Sequence, residues 1–221
     1  MAKNQSQAVT DETDDYSFDD SAASHADDIA NRIDQSQAYV GAFSKAWAGE
    51  SSKGTKLIHF EFDAPGGGEA SFDLYTKKKD PDTGEWKTIF GNNFVQAIMA
   101  VLNLKGLKGV PGKIMKYDEA ENKRVEADGT VYPELCGKNI GLVLQKELYT
   151  KGNGSDGFRM NLYGVFHADS RLTASEIKAG AKKPEKLERL LRGLKNKDSR
   201  TKTTEEPAQT SLGVAAGEGG Y

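Results

Sequence analysis

The segment KLIHFEFDAPGGGEASFDLYTK, residues 56–77, indicates two antiparallel strands joined by a tight turn. Apolar and polar residues alternate in both halves, and a period of two residues is typical of strands that bury one face. The glycine-rich APGGGE between the halves has the composition of a turn. The residues expected to face inward are Ile58, Phe60, Phe62, Phe72 and Leu74.

Further strands are predicted on both sides of this pair. Residues 38–47, AYVGAFSKAW, form an earlier strand with Tyr39, Phe43 and Trp47 at alternate-face spacing, although Phe43 fits either the core or the surface. Residues 138–149, KNIGLVLQKELY, and 158–167, FRMNLYGVFH, alternate in the same way. Val143, Gln145, Glu147 and Tyr149 are expected on the outward face of the first of these two strands.

A helix is predicted between the third and fourth strands. Residues 92–104, NNFVQAIMAVLNL, have apolar side chains at helical spacing, and Asn92 or Asn93 can cap the first turn. Residues 105–134 are glycine-rich and charged, which predicts a long loop with a small hairpin around ADGT. Three strands, a helix and two strands is the order of the OB-fold, a five-stranded barrel. Another kind of antiparallel sheet is the alternative.

The chain is expected to divide into four parts by composition. We predict an acidic disordered arm over 1–34, an OB-fold-like barrel over 35–170, a basic helical segment over 171–200 and a flexible tail over 201–221. The arm has nine acidic residues and two basic ones, whereas residues 181–202 have nine basic residues and three acidic ones. Such asymmetry is typical of chains that bind polyanions, although solubility alone also explains it.

Two short helices are predicted in the basic segment. TASE at 173–176 reads as a capping box, and Pro184 can begin the second helix. The basic residues of this segment either extend a binding surface or surround an ordinary amphipathic helix. In the second case the leucines that pack on the barrel are Leu187, Leu190, Leu191 and Leu194.

Composition and motifs argue against an enzyme, a metal site, a cofactor and a membrane span. The single cysteine, Cys136, and the three scattered histidines make a poor ligand set, and His59 reads as an ordinary sheet residue. APGGGE lacks the lysine and the helix of a phosphate-binding loop. The chain has no apolar run of membrane-spanning length and no secretory signal, so we expect a cytosolic setting.

The outward faces of the predicted strands combine aromatic and basic residues. Aromatic rings can stack on unpaired bases, and lysine or arginine can follow the phosphates. Tyr75, Arg159 and Tyr163 would form the floor of a groove, with the hairpin around DPDTG as its wall. The predicted nucleic-acid contacts are Tyr39, Lys45, Trp47, Tyr75, Lys77, Lys78, Lys79, Trp86, Lys87, Tyr149, Arg159 and Tyr163.

Three segments carry a resemblance to a known class of proteins. GKNIGLVLQKELY at 137–149, RLTASEI at 171–177 and PEKLERLL at 184–191, with the order of strands, resemble single-stranded DNA-binding proteins of bacteriophage replication and recombination. The resemblance implies an OB-fold that coats single-stranded DNA without sequence preference in the cytoplasm of the infected host, and oligomers are compatible with it.

The acidic residues lie at the opposite end from the one that the resemblance implies. Such proteins usually end in a strongly acidic tail with a terminal aromatic residue, which recruits partners and competes with DNA. Here the chain ends in GEGGY, which is only mildly acidic. Residues 11–28, with Tyr16 and Phe18 among acids, are our candidate for that role and for contacts with replication or recombination proteins.

Four functions fit these observations. The first is a binding module for single-stranded DNA, and the second is a recombination accessory that anneals complementary strands. The third is a protein-interaction or DNA-mimic protein that works through the acidic arm. The fourth is a small hydrolase with dispersed carboxylates, which would need a metal-dependent turnover that no motif in the sequence indicates.

Overall fold

The structure of the chain is a computed structural model in which residues 31–118 and 123–200 are described. Within these residues nine strands form a mainly antiparallel sheet, accompanied by a few short helices. The helices are α1 Gly91–Val101, α2 Ala174–Lys178 and α3 Glu185–Gly193. The strands are β1 Gln37–Glu50, β2 Lys56–Ala64, β3 Gly68–Lys79, β4 Trp86–Thr88, β5 Val110–Asp118, β6 Lys123–Val131, β7 Asn139–Thr150, β8 Asp156–Phe166 and β9 Lys197–Asp198.

The long strand β1 pairs with three other strands. Its second half pairs with β2 and, at Trp47↔Val131, with β6. Its first half pairs with β7 from Gln37↔Leu144 to Ala42↔Asn139. Strand β3 continues the sheet beyond β2, and β8 continues it beyond β7. Strands β3 and β8 approach each other, but no ladder joins them in the described part of the chain. The sheet is open there, so a closed five-stranded barrel is not confirmed.

The described residues form four strands in addition to the five predicted ones, and these four lie in three regions. Strand β4 forms in the return after the DPDTG turn, and β9 pairs in parallel with β7. Residues 105–134 are largely the two-stranded ribbon β5–β6 instead of a long loop, and ADGT lies inside β6. The many glycines and charged residues of this segment did not indicate strands. The described side chains of the ribbon are all exposed or half-buried.

A β-bulge in β1 rearranges the faces that alternation predicts. The register shifts between Phe43 and Lys45, so Phe43 and Ala46 both pack in the main core. Tyr39 belongs to the same core. Trp47 turns to the opposite face, where its ring lies 4.2 Å from the ring of His59. The bulge therefore separates three aromatic residues that strict alternation places together.

Helix α3 packs on the outer side of β7 and β8, whereas α2 contacts α1. Leu187, Val143 and Phe166 form a second small core, against which Leu191 and Leu194 also pack. The amphipathic interpretation of this segment is thereby favoured. The capping box is confirmed, because the Glu176 carboxylate accepts a hydrogen bond from the Thr173 backbone N–H at 2.8 Å. The predicted asparagine cap of α1 was wrong, since Phe90 is its N-cap without a side-chain bond.

The folded body begins earlier than the predicted end of the acidic arm. Backbone bonds join Asn31 and Ile33 to Glu69, and Ile33 is buried. Gly68 allows this approach, because it has φ +90° and a Cβ there would lie 1.8 Å from the Asn31 carbonyl oxygen. The predicted arm up to residue 30, including 11–28, and the tail over 201–221 lie outside the described residues.

In the ranges 31–118 and 123–200, no helix is both long enough and apolar enough to cross a membrane.

Candidate nucleic-acid interface

The β3–β4 hairpin sorts its basic residues onto two sides. Lys79 pairs with Trp86, Lys78 with Lys87, and Lys77 with Thr88. Because directly paired residues of antiparallel strands lie on the same face, Lys79 and Trp86 share one face with Lys77. Lys78 and Lys87 project on the other face. The lysines that were predicted to form one basic wall therefore lie on two faces of the hairpin. Trp86 lies on the face that holds Lys77 and Lys79.

Two ammonium groups approach the Trp86 ring. The Nζ atoms of Lys56 and Lys79 are each 5.5 Å from its ring centroid, and the residue is 43% exposed. Cations near the ring face hold the indole in place while leaving part of it accessible. The turn beyond is fixed by Asp80, whose pKa is lowered by its bond to Lys87 and by the N–H groups of the turn.

Tyr75 extends the surface from β3 towards β8. It is 44% exposed and has the strand parity of Lys77 and Lys79. On the other side of the opening, the Arg159 guanidinium lies 5.6 Å from the Tyr149 ring centroid. The pKa of Arg159 is raised, first by its bond to Glu147, with smaller contributions from Tyr149 and Tyr75. Tyr75 is therefore a neighbour of Arg159.

We call this surface the aromatic–basic face. Its members share exposure or partial exposure and lie on β2, β3, β4, β7 and β8 around the opening of the sheet. They are Lys56, Tyr75, Lys77, Lys79, Trp86, Tyr149 and Arg159. Lys56 was not among the predicted contacts, and only its position near Trp86 in the folded hairpin shows that it belongs here.

Several predicted contacts lie away from this face. Tyr39 is 8% exposed and its hydroxyl donates to the Gln35 carbonyl, while Trp47 is 5% exposed beneath the sheet surface. Because both rings are buried, Tyr39 and Trp47 are not part of the aromatic–basic face. Tyr163 is half-buried and packs with the second small core formed by Val143, Phe166 and Leu187, which removes it from the floor of the predicted groove.

Lys45 occupies a separate groove of mixed charge. The groove has a volume of about 480 Å³, and Arg124 of the β5–β6 ribbon lines it together with Lys45 and Ser71. Lys45 is 3.1 Å from Glu61, so its charge is matched within the sheet. Acidic side chains from β2 and β3 balance the basic ones, and the groove lacks the aromatic rings of the aromatic–basic face.

Glu147, like Lys56, was not predicted from the sequence to take part in the site. Alternation placed it on an outward face, yet it is 2% exposed and accepts bonds from Arg159 and Asn161 of β8. These bonds, that of Arg159 foremost, hold the pKa of the carboxyl well below its ordinary range despite burial. A polar residue in an alternating strand gave no signal of burial, because the covering segment comes from β9, far along the chain.

No model of a protein family matches the chain, and no curated protein matches it either.

Proposed function

We propose that the chain binds single-stranded DNA without sequence preference and acts by binding instead of catalysis. One observation carries the proposal. The aromatic–basic face sets the exposed rings of Trp86 and Tyr75 among Lys56, Lys77 and Lys79 on one side of the sheet. Sequence-tolerant binding of single strands needs this combination of residues in contact distance of one another.

Each residue type has its own part in the proposed complex. Trp86 and Tyr75 stack on bases, at about 1–3 kcal/mol per base, and any base offers a π-face to them. Lys77, Lys79 and Arg159 lie near phosphates, and their binding releases counterions. Duplex DNA keeps its bases stacked on each other, so the rings gain nothing from it. The face therefore favours single strands over duplexes.

A specific assignment of the fold is also part of the proposal. We propose that β1, β2, β3, β7 and β8 correspond to the five strands of an OB-fold barrel, with α1 between the third and the fourth. The pairing of β1 with both β2 and β7 and the approach of β3 to β8 support this assignment. Nucleic-acid binding on the outer surface of such strands is typical of the fold.

The biological setting follows from the resemblance of residues 137–149, 171–177 and 184–191 to phage proteins. We propose that the chain coats and protects single strands in bacteriophage DNA replication and recombination, in the cytoplasm of the infected host. Replication or recombination proteins are the proposed protein partners. Annealing of complementary strands would be an additional activity of the same face.

The test is the affinity for fluorescein-labelled oligo-dT against a duplex of equal length, across a salt series. We expect tight oligo-dT binding, much weaker duplex binding, and an affinity that falls as salt rises, because the cations of the face replace counterions. Equal affinity for both DNAs would reject the role of the aromatic rings. No binding to either at low salt would reject the proposed function.

A further inference from the structure

A buried carboxylate lies directly behind the aromatic–basic face. Oε2 of Glu147 accepts bonds from Arg159 Nε at 2.8 Å and Asn161 Nδ2 at 2.6 Å. Oε1 accepts bonds from Lys197 Nζ at 2.8 Å and Ser199 Oγ at 2.6 Å. Removing a carboxylate from water costs free energy unless charge-assisted bonds replace its hydration. Both oxygens have such bonds here, so the buried charge is compensated on two sides.

The four donors come from two different parts of the fold. Arg159 and Asn161 belong to β8, whereas Lys197 and Ser199 belong to β9 and the residue after it. Strand β9 pairs with β7 at Glu147↔Lys197, on the edge that β1 leaves open beyond Leu144. The Ser199 N–H also donates to the Leu148 carbonyl at 2.8 Å. Glu147 thus joins the C-terminal strand to a residue of the aromatic–basic face.

Two cations meet at this one carboxylate, and both keep access to solvent. The side chains of Arg159 and Lys197 are each more than half exposed, although one nitrogen of each is bonded to Glu147. Arg159 cannot swing away from Tyr149 without losing its bond to a buried charge. The carboxylate therefore fixes where two positive charges stand relative to an aromatic ring.

We infer that Glu147 is a positioning residue for single-strand binding, which holds Arg159 and Lys197 as one phosphate-binding row beside Tyr149. The inference rests on the proposed function and deepens it, because it adds Lys197 of β9 to the residues that contact the phosphate backbone of the DNA. The chemistry recognised is the phosphodiester, and Glu147 itself does not touch it.

The sign of one substitution separates positioning from simple electrostatics. Glu147→Gln removes a negative charge from a DNA-binding surface, and by charge alone it should tighten binding. Positioning demands the opposite result, because Arg159 and Lys197 lose their common anchor. We expect oligo-dT affinity at moderate salt to fall about tenfold. The slope of log affinity against log salt should become shallower by about 0.7 for each phosphate that the variant no longer neutralises.

The experiment compares full-length wild type, Glu147→Gln and a charge-matched control, Glu126→Gln. Glu126 is an exposed carboxylate of β6 beside Lys113, so its removal changes the same charge away from the face. We expect weaker binding with a shallower slope for Glu147→Gln, and unchanged or slightly tighter binding for the control. Unchanged or tighter binding by Glu147→Gln would overturn the inference. Weaker binding with the wild-type slope would also overturn it, because that pattern marks a purely structural role.

A second variant tests the part of the inference that concerns Lys197, even if Glu147→Gln does not fold. Lys197→Met with Ser199→Ala leaves Glu147 bonded to Arg159 and Asn161. We expect a slope shallower by about 0.7, together with faster hydrogen exchange at the amide of residue 199. A wild-type slope in this variant would reject Lys197 as a phosphate ligand. Failure of the wild type to bind oligo-dT would instead reject the proposed function, whatever the exchange at residue 199 shows.

Discussion

Replacing Trp86 by alanine is expected to weaken oligo-dT binding by about 5- to 150-fold while leaving the protein folded. The range is that of one stacked base, about 1–3 kcal/mol, converted at tenfold per 1.4 kcal/mol. The fold should tolerate the change because Trp86 is half-exposed on a three-residue strand, and its contacts to Lys56 and Lys79 are exposed cation–π pairs. Such pairs contribute about 0.5–1 kcal/mol each.

The second tryptophan provides the matched control. Trp47 is buried beside His59, so Trp47→Ala should destabilise the fold by about 3–5 kcal/mol. Fluorescence anisotropy with labelled oligo-dT at fixed salt measures binding, and urea denaturation measures stability. Loss of binding in Trp86→Ala with a normal urea midpoint supports the assignment. Normal binding by Trp86→Ala, or unfolding of that variant, would refute the reasoning about which ring faces the DNA.

Three further predictions concern charge, backbone conformation and pH. Lys79→Ala should weaken oligo-dT binding more than Lys45→Ala in the same anisotropy assay, because Lys45 is matched by Glu61. Gly68→Ala should lower the free energy of unfolding by more than about 1 kcal/mol in urea, because its φ is positive and its Cβ would meet a backbone oxygen. The free energy of unfolding of the wild type should exceed that of Glu147→Gln, and this difference should be largest at neutral pH. It should shrink as pH falls below about 4.3, the ordinary glutamate value, since the folded-state pKa of Glu147 is lowered.

Alternation predicted the central strands because their inward faces are uniform and apolar. Strands β2 and β3 bury Phe60, Phe62 and Phe72 where the period of two residues places them. The same reasoning failed in β1, since a bulge changes the parity within one strand and leaves no mark in the composition. It also missed β5 and β6, because a ribbon with little buried surface lacks an apolar face to detect.

The kinds of residue that form the candidate site could be predicted from the sequence, but only some of the individual residues could. Tyr75 lies in β3, where its neighbours supply the core face, so its exposure could be expected from the sequence. Tyr163 and Glu147 could not be placed, because each is covered by the C-terminal segment that returns over β7 and β8. Burial of a residue by a segment that is distant in sequence depends on tertiary packing, and the local periodicity of a strand does not indicate it.

The pairing of β1 with both β2 and β7 has a consequence for the order in which the chain folds. Its second half meets β2 across a short turn, so this hairpin closes with little loss of chain entropy. Its first half must wait for β7, which pairs residue 144 with residue 37. Contacts of such long sequence separation slow folding. During synthesis on the ribosome, the early β1–β3 meander therefore emerges with one side of β1 unpaired, and β7 completes it late.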